Sequence, residues 1–258
     1  MTDLYQSQRA MRNLRQQAMQ RGVIAVMDVG TFKVACLILK FGVSDGARAG
    51  SGVGAMAGQA AFRVIGAGTT ASRGVRLGEI AAMRETERAV RTALQNAQKM
   101  AQTRVDHAIL SFSGGDVRSY GLEGLVELDD DRVSENDIAR VLDSCDMPDL
   151  GPDREVLHAQ PVNFVLDHRS GLADPRGQAG RRLGCDMHLV SVNADVVQNL
   201  VHCLKRCDVE VAGLASSAYV AGRAALVEDE QELGAAAIDM GAGATNLSIF
   251  IKGHMIYA

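Results

Sequence analysis

Two apolar runs near opposite ends of the chain are broken in the same way, and that repetition constrains the fold more than any other feature of the 258 residues. The first, "VMDVGTFKVACLI" (26–38), is a run of strand formers interrupted by Asp28, Gly30 and Thr31. The second, "AAAIDMGAGATNLSIFI" (235–251), reaches Asp239, turns through Gly241 and Gly243, passes Thr245 and resumes as "LSIFI". A core strand gains nothing from a carboxylate, a glycine and a hydroxyl in its middle. Each run therefore predicts a β-hairpin with Asp at the end of the incoming strand and Gly and Thr in the turn. Glycine lets a phosphate approach backbone N–H groups, and Thr adds a hydroxyl donor. Asp is a poor phosphate ligand but a good partner for Mg2+, which takes carboxylate, water and phosphate oxygens. Two such hairpins face to face would clamp the β- and γ-phosphates of a nucleotide with the metal between Asp28 and Asp239. The plainer alternative is two ordinary tight hairpins with Asp-Gly turns.

Between the hairpins, strands and helices alternate. Residues 61–68 read as a strand, and Ile80, Met83, Val90, Leu94, Ala97 and Ala101 recur at threes and fours, which predicts an amphipathic helix of about six turns. "VDHAILSFSGG" (105–115) reads as a strand ending on a glycine turn, and "SENDIARVLDSC" as a short helix capped by Ser134 with Asp137 three residues on. "REVLHAQPVNFVLD" reads as a strand pair or one interrupted strand, with Pro161 marking an edge or bulge. "HRSGLADPRGQAGRRLGC" (168–185) carries only loop signals; strand, helix, strand and helix follow. This order predicts an α/β fold with an inserted α+β subdomain over about 105–184. Residues 1–21, with Arg9, Arg12, Arg15 and Arg21 among glutamines, read as a flexible tail, and the Gly-rich 44–60 as a loop between strands.

Composition narrows the function. No apolar run approaches a membrane span and nothing resembles a signal peptide, so the expectation is a soluble protein. Five scattered cysteines suit a reducing, cytoplasmic compartment better than a disulfide framework. A net charge of −4 gives no reason to expect nucleic acid, and the absence of Trp argues against aromatic stacking of bases or sugars. Cys203 and Cys207 lie one helical turn apart beside His202, with Cys185 and His188 upstream. Cys185 and His188 have opposite parity on a strand, so buried thiols are a better reading than a zinc site. His107, His158 and His168 show no partner pattern. Arg176, Arg181 and Arg182 form either an anion or partner contact or a solvated loop.

At the hairpins the sequence resembles a known family. "AVMDVGTFKVACLI" is similar to the phosphate-1 segment of actin-like ATPases and "AAIDMGAGATNLSIF" to their phosphate-2 segment. Within that superfamily the match is to the bacterial cell-division FtsA family. It is carried by "IGAGTTASRGVRLGEI", "AVRTALQNAQKMA", "DREVLHAQPVNFVLDHRSGLADPRGQAGRRLG" and "QNLVHCLKRCDVEVAGLASSAYVAGRAAL", in order and spacing from residue 23 to 258. "GLADPRGQAGRRL" is the most specific, since sugar kinases, 70-kilodalton chaperones and actins lack it.

The resemblance implies an actin-like (ribonuclease H-like) fold with a 1C-like insert and a second lobe that is incomplete. It divides the chain into a tail (1–21), a first lobe (22–104 and 185–230), the insert (105–184) and the start of the second lobe (231–258). It assigns Asp28, Gly30, Thr31 and Lys33 to one phosphate loop and Asp239, Gly241, Gly243 and Thr245 to the other, holding ATP and Mg2+, the metal held by Asp28 and Asp239 through water. Ala244 stands where the family commonly has Thr, Asn246 where Thr or Asp is common, and Phe32 where a small residue is usual.

The implied function is a scaffold that anchors FtsZ filaments to the cytoplasmic face of the inner membrane at the division site. It would self-associate into filaments and recruit later division proteins through residues 105–184. FtsA proteins continue past this point, through the adenosine side of the cleft, the FtsZ-binding surface and a membrane-binding C-terminal helix, so the chain reads as an N-terminal portion. No catalytic base stands out near "SSAYVAGRAALVEDE", which implies slow hydrolysis at most. The alternatives are a soluble ATPase or sugar-kinase-type phosphotransferase of the same superfamily, and a pilus-assembly actin homologue.

Overall fold

The computed structural model describes residues 2–42 and 62–258; the Gly-rich segment 44–60 lies outside them. Helix α1 (Thr2–Arg21) leads into the hairpin β1 (Val23–Val29) and β2 (Lys33–Phe41), then β3 (Phe62–Ala71) and the short pair β4 (Val75–Arg76) and β5 (Glu79–Ile80). Helix α2 (Met83–Ala101), β6 (His107–Phe112), β7 (Arg118–Glu127), α3 (Glu135–Asp143), β8 (Arg154–Leu166), β9 (Arg169–Leu172) and β10 (Arg182–Asn193) follow. The chain continues through α4 (Ala194–Lys205), β11 (Glu210–Ser216), α5 (Ser217–Ala225), α6 (Glu228–Leu233), β12 (Ala235–Met240), β13 (Thr245–Ile251) and β14 (His254–Tyr257).

Three sheets organise these elements. The first runs β11-β6-β1-β2-β3, with β1, β2 and β3 antiparallel and β6 and β11 parallel to β1. Its core joins Met27, Val34, Ile38, Leu110 and Phe112 to Val90, Ala93, Leu94 and Ala97 of α2 and to Leu200 and Leu204 of α4. Helix α2 starts at Met83, not Ile80: Ile80 pairs with Val75 in the β4–β5 hairpin. The second sheet, β7-β10-β8-β9, is antiparallel throughout, and Ile138 and Val141 of α3 join its Leu122, Phe164, Leu166 and Leu183 in one core. The capping box expected at Ser134 and Asp137 is formed. β8 is one strand with a bulge beside Pro161, and the stretch expected to be all loop contributes β9 and the start of β10. The third sheet, β12-β13-β14, packs Phe250 and Met255 against Val190.

The insert differs from expectation at both ends. Strand β6, placed inside it by sequence, pairs with β1 and β11; β10, placed after it, lies between β7 and β8. A buried apolar strand reads the same in whichever sheet it lies. The N-terminal tail also differs: α1 buries Ala18 and packs Leu14 and Met11 on the first sheet, while Arg12 and Arg21 stay outside. Those apolar positions, three and four apart, form a narrow stripe that the intervening Arg and Gln obscure. Strand β14 abuts the insert: Ser119 Oγ accepts from Ala258 N (2.9 Å) and donates to Ala258 O (3.0 Å).

Where the insert meets β11 and α5, His158 Nε2 accepts from Ser216 N at 3.2 Å and the ring leans on Tyr219. Burial, helped by nearby His188, pushes the His158 pKa down to about 4. The neutral ring is required, so this contribution is complete above the unfolded-state pKa near 6.5 and is lost as pH falls toward 4. Between pH 7 and 4.5 the wild type should lose roughly 2–3 kcal/mol more urea stability than His158→Gln, whose side chain does not titrate. Equal losses in both proteins would refute the assignment.

Candidate nucleotide-binding site

The two interrupted strands meet. In each, the residue two after the Asp closes the turn: Gly30 N donates to Lys33 O (3.0 Å) and Gly241 N to Ala244 O (2.9 Å). The two turns are therefore closed by equivalent bonds. Their tips touch, because a Cβ added to Gly243 would lie 2.4 Å from Thr31 Oγ1 and 2.9 Å from Thr31 Cβ. Any side chain at 243 would push the hairpins apart.

The carboxylates sit just behind the tips. Asp28 ends β1 opposite Ser111 of parallel β6, and Ser111 Oγ lies 3.3 Å from Ser217 Oγ at the start of α5. The Asp28 pKa is raised by burial and further by the Asp239 charge, against the lowering effects of Lys33 and a hydrogen bond from Ser111. Two like charges felt across the hairpin contact form an oxygen-rich locus suited to a hard cation. Asp239 faces Asn246 across its hairpin, and Asn246 Nδ2 donates to Asp239 Oδ2 (3.2 Å) and to Ser113 Oγ (3.1 Å). Among the described residues no three His, Cys, Asp or Glu side chains converge, so protein ligands alone would not complete a metal shell.

Residues not singled out by sequence complete the locus. The β4–β5 turn places Leu77 and Gly78 at positive φ, and Gly78 N donates to Thr31 Oγ1 at 3.1 Å. Gly78 rests on the Ser113 carbonyl, where an added Cβ would sit 1.9 Å away, and Gly115 N donates to Glu79 Oε1 at 3.3 Å. Three turns thus converge on Thr31 and the end of β6. The Ser-Phe-Ser-Gly-Gly stretch (111–115) was the available signal, a strand ending in hydroxyls and glycines. Thr245 pairs with Met240 and is exposed, and Phe32 stands out into solvent at 74% exposure. Near the expected position of a hydrolytic base, Gln231 is buried and accepts from Arg223 while donating to Leu226 O.

Comparison with known proteins agrees with this architecture. The SHS2 domain inserted in FTSA matches residues 114–191, which run through β7 and most of β10. The chain is 37% identical over 237 residues to "Cell division protein FtsA" of Rhizobium meliloti, covering 92% of the chain and 52% of that protein. The corresponding protein of Neisseria meningitidis is 30% identical (91% and 53%), and that of Escherichia coli 27% identical (93% and 53%). The chain spans about half the length of these curated relatives. A solved PilM-PilN type IV pilus biogenesis complex shares the fold, with a TM-score of 0.55 at 11% identity over 90% of this chain and 59% of that one. The fold is actin-like with a segment that matches the SHS2 insertion, and over nine-tenths of its own length the chain is similar to about half of the FtsA cell-division proteins.

Proposed function

We propose that the chain is the ATP-binding part of a division scaffold that links FtsZ filaments to the cytoplasmic face of the inner membrane. The observation that carries the nucleotide half of this reading is the contact of the two turns at Thr31 and Gly243, with Asp28 and Asp239 behind it. Gly30 and Gly241 use their N–H groups to close the hairpins. The amides a phosphate would meet are therefore those at the tips, on Thr31, Phe32, Ala242 and Gly243. Lys33 and the Thr31 hydroxyl would add charge and a donor. Mg2+ would be held by Asp28 and Asp239 through water, with phosphate oxygens completing its shell, as suits an ion bound by one or two carboxylates. Bound Mg-ATP would supply an anionic bridge between the hairpins.

The division half of the reading rests on the FtsA relatives and their SHS2 insert. Self-association into filaments and recruitment of later division proteins are assigned to the insert, whose sheet spans β7 to β10. The first lobe then comprises β1 to β6 with α4, β11 and α5, and the second begins at β12. Among the described residues no helix is long and apolar enough to cross a membrane. In dividing cells of the source organism, an antibody to residues 105–184 should mark a mid-cell band that disperses when FtsZ is depleted. Diffuse signal throughout the cell cycle would overturn the scaffold reading.

A further inference from the structure

One amide side chain reaches from the second hairpin to the end of β6. Asn246 lies directly opposite Asp239 across β12 and β13, and both are half-buried on the sheet face that carries the buried Ser248 and Phe250. Asn246 Nδ2 is 3.2 Å from Asp239 Oδ2 and 3.1 Å from Ser113 Oγ. An ionised carboxylate only accepts, so the amide is the donor to Asp239, and the second N–H of the same nitrogen serves Ser113.

Ser113 is itself pinned. Its carbonyl leaves no room for a Cβ on Gly78 of the β4–β5 turn, and Gly78 N donates to Thr31 Oγ1. Thr31 in turn fills the space that a side chain on Gly243 would need. Contacts therefore run in a closed ring, from Thr31 through Gly78, Ser113 and Asn246 into the second hairpin, whose Gly243 returns to Thr31. Asn246 is the member of that ring that grips a carboxylate.

The residue type matters. Aspartate at 246 could not donate to Asp239 and would set a second negative charge against it. Threonine has a single hydroxyl proton and could donate to Asp239 or to Ser113, not to both. An amide nitrogen carries two protons and serves both at once.

We propose that Asn246 is a positioning residue, which fixes the Asp239 carboxylate by one oxygen and ties it to the end of β6. The second oxygen then remains to accept from a metal-bound water. This rests on the nucleotide reading above and deepens it by naming the side chain that sets the second carboxylate. A carboxylate released from the amide would rotate and present its oxygens to the ion for only part of the time. Removing the amide should therefore weaken metal-dependent binding, and should do so through Asp239.

The test is titration calorimetry on the protein as the cell makes it, with Mg-ATP and separately with ATP in excess EDTA. Asn246→Ala should weaken Mg-ATP binding about tenfold or more, as loss of an outer partner of a metal ligand does, and metal-free ATP binding by less than about threefold. A double-mutant cycle separates positioning from mere support of the fold. In an Asp239→Asn background, Asn246→Ala should cost less than about twofold more, because the carboxylate it orients is gone. A purely structural role would weaken both backgrounds alike. Equal Mg-ATP affinity in wild type and Asn246→Ala, or a loss as large in the Asp239→Asn background, would overturn the positioning role and leave the nucleotide reading standing. Failure of the wild type to bind Mg-ATP would overturn both. Should Asn246→Ala not fold, Asn246→Leu, of similar shape and without donors, carries the same comparison.

Discussion

Gly68→Ala should cost at least about 3 kcal/mol, enough to leave a marginally stable domain largely unfolded in mild urea. Gly68 lies on β3 where α2 crosses it, and an added Cβ would stand 2.1 Å from Ala93 O, 2.7 Å from Ala97 N and 2.9 Å from Asn96 Cβ. Two of those three atoms are helix backbone, which has no rotamer to escape into. The small residues facing the strand, Ala93 and Ala97, are fully buried and already bring the helix as close as a side chain allows. The helix would have to lift from the sheet, uncovering Val90 and Leu94 and part of the first core. Gly121→Ala is the matched control, because nothing lies within 4 Å of its added Cβ; it should stay within about 0.5 kcal/mol of wild type. The check is the urea midpoint of both variants at unchanged slope. A Gly68→Ala protein as stable as Gly121→Ala would mean that α2 is not seated this closely.

How much of this was legible depended on whether the signal was local. The hairpin chemistry was local: Asp, Gly and Thr within a few residues predicted two turns, and the turns form with matched closing bonds. That they touch required the fold, because nothing near Thr31 in sequence names Gly243. Ser111, Ser113 and Gly78 were missed for the same reason, since parallel register between β1 and β6 has no sequence signature. Asn246 was read as a departure from the family's usual residue, yet its amide joins Asp239 to Ser113. The Gly-Ala-Gly of β3 looked like ordinary strand sequence; glycines two apart share a face, which is the pattern of a helix backbone pressed on that face. The capping box of α3 was legible because both partners lie within one turn.

Asp28→Asn should raise stability while abolishing nucleotide binding, and the opposite signs are what make it informative. The Asp28 carboxyl is held above its ordinary pKa chiefly by burial and secondarily by Asp239. An acid whose pKa is raised on folding costs stability at every pH above that folded value, and the cost disappears as pH falls below the unfolded value. Asparagine keeps the shape and a hydrogen-bond acceptor for Ser111 but carries no charge, so the urea midpoint at pH 7 should rise and its dependence on acid should flatten. Lys33 loses a partner, but it is exposed, and a solvated cation loses little. On the proposed reading, bound Mg-ATP would reverse the balance, because the charge that burial makes costly is what the metal and its waters would need. Affinity for Mg-ATP, measured by titration calorimetry on the protein as the cell makes it, should fall at least about 100-fold, or about 2.7 kcal/mol. A stability gain with affinity untouched would leave Asp28 as a strained hairpin carboxylate that meets no cation, and the nucleotide reading of the paired turns would fall with it.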